Sequence, residues 1–206
     1  MAVVTIARKF GAGGRTLAGR VAKRLGYEFL DDAIIQELAE RARVSKHSIK
    51  DIERSAGGWL SKVISSTLSR GYMERLTGER FGYIDEEIYV EKLREVITEL
   101  AAEDNVVILG RGSQYILAEN ENTYHFLLVA EREDRIKFMQ RYYDYSDEKA
   151  YQAVINGERR RKNLYAKFGK KNYNAASMYH MVMNMSRITL DQAEDQICML
   201  VEPSKS

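Results

Sequence analysis

The run Gly11-Ala12-Gly13-Gly14-Arg15-Thr16 carries the first chemical signal. It follows a short apolar stretch, Ala2 to Ile6, and it stands where helical spacing begins, at Leu17, Val21 and Leu25. Glycines at such a junction let backbone N–H groups close on an anion at the positive end of the helix, which is how phosphate-cradling loops are built. Those loops also carry a lysine, and none stands inside this run. Arg15 is the cation within it, and Arg8 and Lys9 precede it. Phosphate binding is therefore the first expectation, with one of these side chains supplying the charge that lysine would give.

Other positions offer related chemistry. Arg111 lies between Gly110 and Gly112 at the end of the apolar run "NVVIL", and a guanidinium fork suits phosphate oxygens. Between Val154 and Ala175 the residues Arg159, Arg160, Arg161, Lys162, Lys167, Lys170 and Lys171 face only one acid, Glu158. That bias marks an element turned toward an anion, although a run such as "ERRRK" is by itself also the ordinary solvated face of a helix. Asp31 ends "YEFLD" beside a helix start, where a carboxylate either caps the helix or meets a ligand. His47, His125 and His180 show no ligand spacing, so no metal site is assigned to protein side chains. Arg135 and Arg141 read as salt-bridging residues of one helix, and Trp59 and the tyrosines as packing.

Elements must hold these groups in place. Val3 to Ala7 is β-branched and apolar, as a buried strand is, and Gly26 stands where a helix C-terminal glycine belongs. "YEFLD" predicts a second short strand and "DAIIQELAERAR" a helix opening on Asp32. From Ser45 to Gly82 helical pieces alternate with "SAGG" and "TGERFG", which suggests an insert over the core. The stripe Tyr89, Leu93, Val96, Ile97, Leu100 predicts a long amphipathic helix, followed by the strand "NVVIL". "TYHFLLVA" predicts a strand, a helix begins near Glu131, and "YHMVMN" is a last strand. Thr189 and Gln192 have the spacing of a capping box for a final helix carrying Leu190, Ala193, Ile197 and Leu200. Strands alternating with helices imply an α/β fold, a parallel sheet covered on both faces, with ligands outside the strand C-terminal ends. The glycine loop and the Gly-Arg-Gly turn both belong at that edge.

The chain has 206 residues, 45% hydrophobic and 30% charged, which suits one domain with a substantial core. Its formal charge of +2 does not fit a dedicated nucleic-acid binder, so any anion site is local. The single cysteine, Cys198, excludes a disulfide framework and a cysteine metal cluster. No apolar run reaches the roughly 18 residues of a membrane span, and the apolar start is too short for a signal peptide. A cytoplasmic, reducing location is expected, with no membrane partner.

Against the nucleoside monophosphate kinase form of the phosphate loop, G-x-x-G-x-G-K-G-T, the sequence keeps Gly11, Gly13 and Thr16. It has Arg8 at the first glycine, Gly14 at the lysine and Arg15 at the next glycine. With "VVILGRGSQYIL", "DRIKFMQR" and "YHMVMNMSRITLDQAEDQI" in order after it, the chain resembles the cytidylate kinase-like family, a divergent branch of the P-loop kinases. The resemblance spans nearly the whole chain. It implies an adenylate-kinase-like sheet of about five strands, an acceptor-binding insert at 32–84 and a lid at 157–176. It implies ATP and Mg²⁺ as donor and cofactor, and CMP or dCMP as first acceptor. Gly11, Ala12, Gly13, Gly14, Arg15 and Thr16 would wrap the donor phosphates. Asp31 would help hold the acceptor nucleotide, and Arg111 its phosphate. Arg15, Arg159 and Arg160 would act on the transferring group, and a homodimer is compatible with this reading. The segment after Asp31 departs from the cytidylate kinase pattern: "DDAIIQEL" lacks its Thr-Gly and Tyr-Arg pairs. The departures leave a rival reading, a nucleotide-binding protein without catalysis.

Overall fold

The computed structural model describes residues 2–31, 35, 86–169 and 172–202. The expected helix after Asp32 (Ile35 apart), the expected insert, His47 and Trp59 lie outside the described residues.

Strands β1 (Val3–Arg8), β2 (Glu28–Leu30), β3 (Val106–Leu109), β4 (Thr123–Val129) and β5 (Met181–Asn184) form one sheet in the order β2-β3-β1-β4-β5. Every pairing is parallel, with Ile6 opposite Leu109 on one side and Phe126 on the other. β1 is central, and Val3, Val4 and Ile6 are fully buried, which is why it reads as a continuous apolar run rather than an alternating one.

The two faces have separate cores. Val4, Ile6, Val107, Leu109, Phe126 and Leu128 pack under α1 (Gly14–Leu25) and the C-terminal helix. Val3, Leu30, Val106 and Ile108 pack under α2 (Glu86–Ala101), through Leu93, Val96 and Ile97. Each such aliphatic side chain contributes about 1.5–3 kcal/mol by burial, so the sheet is a rigid floor for what leaves its edge.

α1 opens on the loop's own Gly14, ahead of the first apolar helical residue, and ends at Gly26 in the left-handed region. A short helix, α3 (Ser113–Ile116), follows β3, too brief for periodicity to reveal. α4 (Arg132–Tyr143) begins after Glu131 as expected. α5 (Asp147–Lys167) is one long helix, started by Ser146, whose side chain accepts from the Lys149 N–H. Only its basic second half is conspicuous in the sequence. α6 (Leu190–Val201) starts with the expected capping box: Gln192 N–H donates to Thr189 Oγ1 at 3.2 Å and Thr189 N–H to Gln192 Oε1 at 2.9 Å.

α6 is tied to α1 by Arg20 with Asp191 and Glu194 and by Arg24 with Asp195. Exposed pairs of this kind contribute little individually, and the apolar face beneath does most of the docking. Among the described residues no helix is long and apolar enough to cross a membrane.

Candidate functional site

The loops leaving β1 and β3, neighbours in the sheet, are joined at their roots: Gly110 N–H donates to Ile6 O at 3.0 Å. In the first loop, Gly11 (φ +83°) and Gly13 (φ +79°) take the left-handed conformation that side chains resist. Lys9 N–H donates to Leu128 O at 2.9 Å, and Lys9 O accepts from Ala12 N–H at 3.1 Å, which fixes the loop's entrance. No side chain caps α1, and its first turn holds no acidic residue. The positive end of that helix has Ala12, Gly13 and Gly14 buried and Thr16 half-buried around it.

Arg15 is directed to β2. Its Nη2 stands 3.0 Å from Oδ2 of Asp31, which is fully buried just beyond the strand. The structure thus brings together a loop residue and the acidic residue that the sequence reading assigned to opposite substrates.

Arg111 has φ +54° between Gly110 at +75° and Gly112 at +76°. A non-glycine residue in that region is uncommon. Its side chain is half-buried.

α5 spans from one loop to the other. A Cβ on Gly157 would stand 2.2 Å from Phe10 Cγ, so Phe10 lies directly on the helix backbone. Eleven residues on, Phe168 lies against Gly112, a distance of roughly 16 Å along a helix. Arg160 has its guanidinium 5.9 Å from the Phe10 ring centre, hence at the loop. Arg159 is exposed and donates to Asn156 Oδ1 at 3.0 Å on its own helix, so it is not brought to the loop. Lys162 is exposed as well.

Arg161 is inserted between Tyr165 and Tyr173, 4.8 and 5.0 Å from their ring centres, and donates to Asn174 Oδ1 at 2.9 Å. The segment after α5 is held by the same cluster: Tyr179 donates its hydroxyl to Tyr173 O at 3.0 Å, and Tyr115 meets Tyr165 edge-on at 5.4 Å. Burial pushes the Tyr115 hydroxyl up to about 12 and raises that of Tyr179 further, so both remain proton donors.

Arg135, expected to salt-bridge, does so with Glu158 of α5 at 2.9 Å, and not with an acid of its own helix. It also donates to Phe10 O and Ala130 O, each at 3.1 Å, while its backbone and Cβ lie against Gly11. At 2% exposure its charge is tolerable only because it is paired and hydrogen-bonded. Arg135 and Phe10 are therefore scaffold residues of the loop that the sequence reading did not assign. Arg135 stands in the segment "DRIKFMQR", whereas Phe10 carried no signal beyond its place directly before Gly11.

The family profile described as cytidylate kinase-like matches residues 3–187. The chain belongs to the cytidylate kinase-like family. No relative among the curated proteins matches it significantly. Among solved structures, an uncharacterized protein from Eubacterium ventriosum is similar at TM-score 0.68 and 17% identity, covering 97% of each chain. Shikimate kinase from Bacteroides thetaiotaomicron has TM-score 0.51 and 16% identity, covering 98% of this chain and 99% of its own. The YorR protein of Bacillus subtilis, solved with phosphorylated GDP, has TM-score 0.51 and 14% identity over 97% and 95%. At these identities the likeness is one of fold. This cytidylate kinase-like chain has the P-loop kinase fold, and its family supports a nucleotide-kinase type of function.

Proposed function

We propose that the chain is a nucleoside monophosphate kinase that transfers the ATP γ-phosphoryl group to CMP, dCMP or a similar small acceptor. The observation that supports it most is the convergence at one sheet edge of the glycine loop, the Arg15–Asp31 pair and the Gly110-Arg111-Gly112 turn, spanned by basic α5. Donor phosphates rest on the backbone of residues 11–16 at the start of α1. Asp31 and Arg111 hold the acceptor, and Arg15 ties the donor loop to that side. Arg160 supplies charge to the transferring group, and Arg159 reaches it on closure of a lid at 157–176. Phosphoryl transfer asks of a protein mainly alignment and charge stabilisation, and these groups provide both.

Among the described residues no three or more His, Cys, Asp or Glu side chains form a metal cluster. Mg²⁺ would be carried by the nucleotide phosphates, with the Thr16 hydroxyl as the protein's contribution. When bound, the ion neutralises developing charge on the phosphate oxygens.

The test is ADP formation from ATP and Mg²⁺ with a panel of nucleoside monophosphates, with shikimate as a non-nucleotide control. Turnover with CMP or dCMP is expected. ATP binding without turnover on any acceptor would instead favour a non-catalytic nucleotide-binding protein, the reading that Gly14 at the lysine position supports.

A further inference from the structure

Arg8 ends β1, and its side chain does not leave the site. A Cβ on Gly14 would stand 2.8 Å from Arg8 Cγ, 3.1 Å from its Cβ and 3.3 Å from its Cδ. A Cβ on Gly110 would stand 1.9 Å from Arg8 Nη1 and 3.2 Å from its Cζ. The aliphatic stem thus lies on the backbone of Gly14, and the guanidinium lies on the backbone of Gly110, next to Arg111. It occupies the seam between the glycine loop and the Gly-Arg-Gly turn.

The space explains the two substitutions together. A lysine at position 14 would begin 2.8 Å from Arg8 Cγ, closer than carbons approach, so the two cations do not both keep these places. The ordinary loop has glycine at the first position and lysine at the later one; this loop has arginine first and glycine later. The Arg15 guanidinium is directed away from this seam, to Asp31 just beyond β2. We infer that Arg8 and Gly14 are an exchanged pair: the phosphate-binding cation of this loop has moved from position 14 to Arg8. This inference rests on the donor-site reading above and deepens it. A guanidinium at that seam can meet the terminal phosphates of a nucleoside triphosphate with a planar fork, on the side facing the acceptor turn.

The test is calorimetric titration of ATP and adenosine, with Mg²⁺, into wild type, Arg8→Met, Gly14→Lys and the exchange variant Arg8→Gly/Gly14→Lys, alongside thermal melts. Methionine keeps the stem over Gly14 and removes the charge. Arg8→Met should lose about tenfold to a hundredfold in ATP affinity while adenosine binding changes little, as expected for a lost charge-assisted contact. Gly14→Lys should melt below wild type because the two side chains collide. The exchange variant should melt above Gly14→Lys and bind ATP more tightly than Arg8→Met. A folded Arg8→Met that binds ATP like wild type overturns the inference and leaves the donor site standing. Should Arg8→Met fail to fold, the exchange variant decides, and ATP binding by it no stronger than by an Arg8→Gly single variant overturns the exchange. If wild type binds no nucleoside triphosphate, the donor-site reading falls and this inference with it.

Discussion

Asp31 is fully buried, whereas Arg15 keeps 17% of its side chain in solvent. A pair with one buried partner lies between the surface case, where ion pairs contribute little, and the fully buried case, where losing one partner is costly. Asp31→Asn should therefore destabilise the protein by about 1–3 kcal/mol, measured by urea denaturation. Arg15→Met together with Asp31→Asn should cost less than the two single changes summed, because the second change removes a charge already without its partner. Strict additivity would show that the pair is not energetically coupled. The glycines and Arg111 could be read from residue type and neighbours. The pairing of Arg15 could not, because Asp31 is reached only after α1 has turned the chain back to the sheet.

At the scale of elements, α5 is the part whose role changed most. In the sequence it is a basic stretch, and its arginines look interchangeable. In the structure Arg159 faces solvent, Arg160 lies over Phe10, Arg161 is held between two tyrosine rings, and Glu158 secures Arg135. Helical rotation separates adjacent residues by about 100°, so neighbours in sequence meet different partners. The contact at Gly157 gives a direct test. In an ordinary helix Ala is preferred over Gly by about 1 kcal/mol. Here a Cβ would meet Phe10 at 2.2–2.7 Å, so Gly157→Ala should instead cost about 1–3 kcal/mol. In a Phe10→Ala background the same change should become neutral or stabilising, and thermal melts of the four proteins of this cycle would show it. A destabilisation that persists without the Phe10 ring would place the constraint elsewhere.

At the scale of the whole molecule, a polar link joins two strands inside the sheet. Thr5 Oγ1 and His125 Nδ1 stand 2.6 Å apart in the buried layer, and the His125 backbone N–H donates to His180 Nδ1 at 2.9 Å. Burial, and then the neighbouring His180, lower His125 from 6.5 to about 4. The folded state thus keeps His125 neutral where the unfolded chain would bind a proton. Stability is fully present above the unfolded value and falls as pH drops from 6.5 toward about 4, where the folded state begins to share the proton. The loss amounts to at most about 3 kcal/mol. Melting temperature against pH should therefore decline across this window more steeply in wild type than in His125→Gln. Parallel curves would show that His125 does not govern the decline.

The amino-acid sequence determined the alternation of apolar runs and helical stripes, and with it a parallel sheet whose glycine loop and Gly-Arg-Gly turn share one edge. It did so because those signals are local: periodicity, caps and turn residues act within a few positions of one another. It also carried the exchange of Arg8 and Gly14 as a departure from a pattern, without a reason for it. Only the tertiary structure decided which cation serves which partner: Arg15 to Asp31, Arg135 to Glu158 and Phe10, and Arg8 across Gly14 to Gly110. Long charged side chains select partners by distance through space and by the room available, and chain folding sets both.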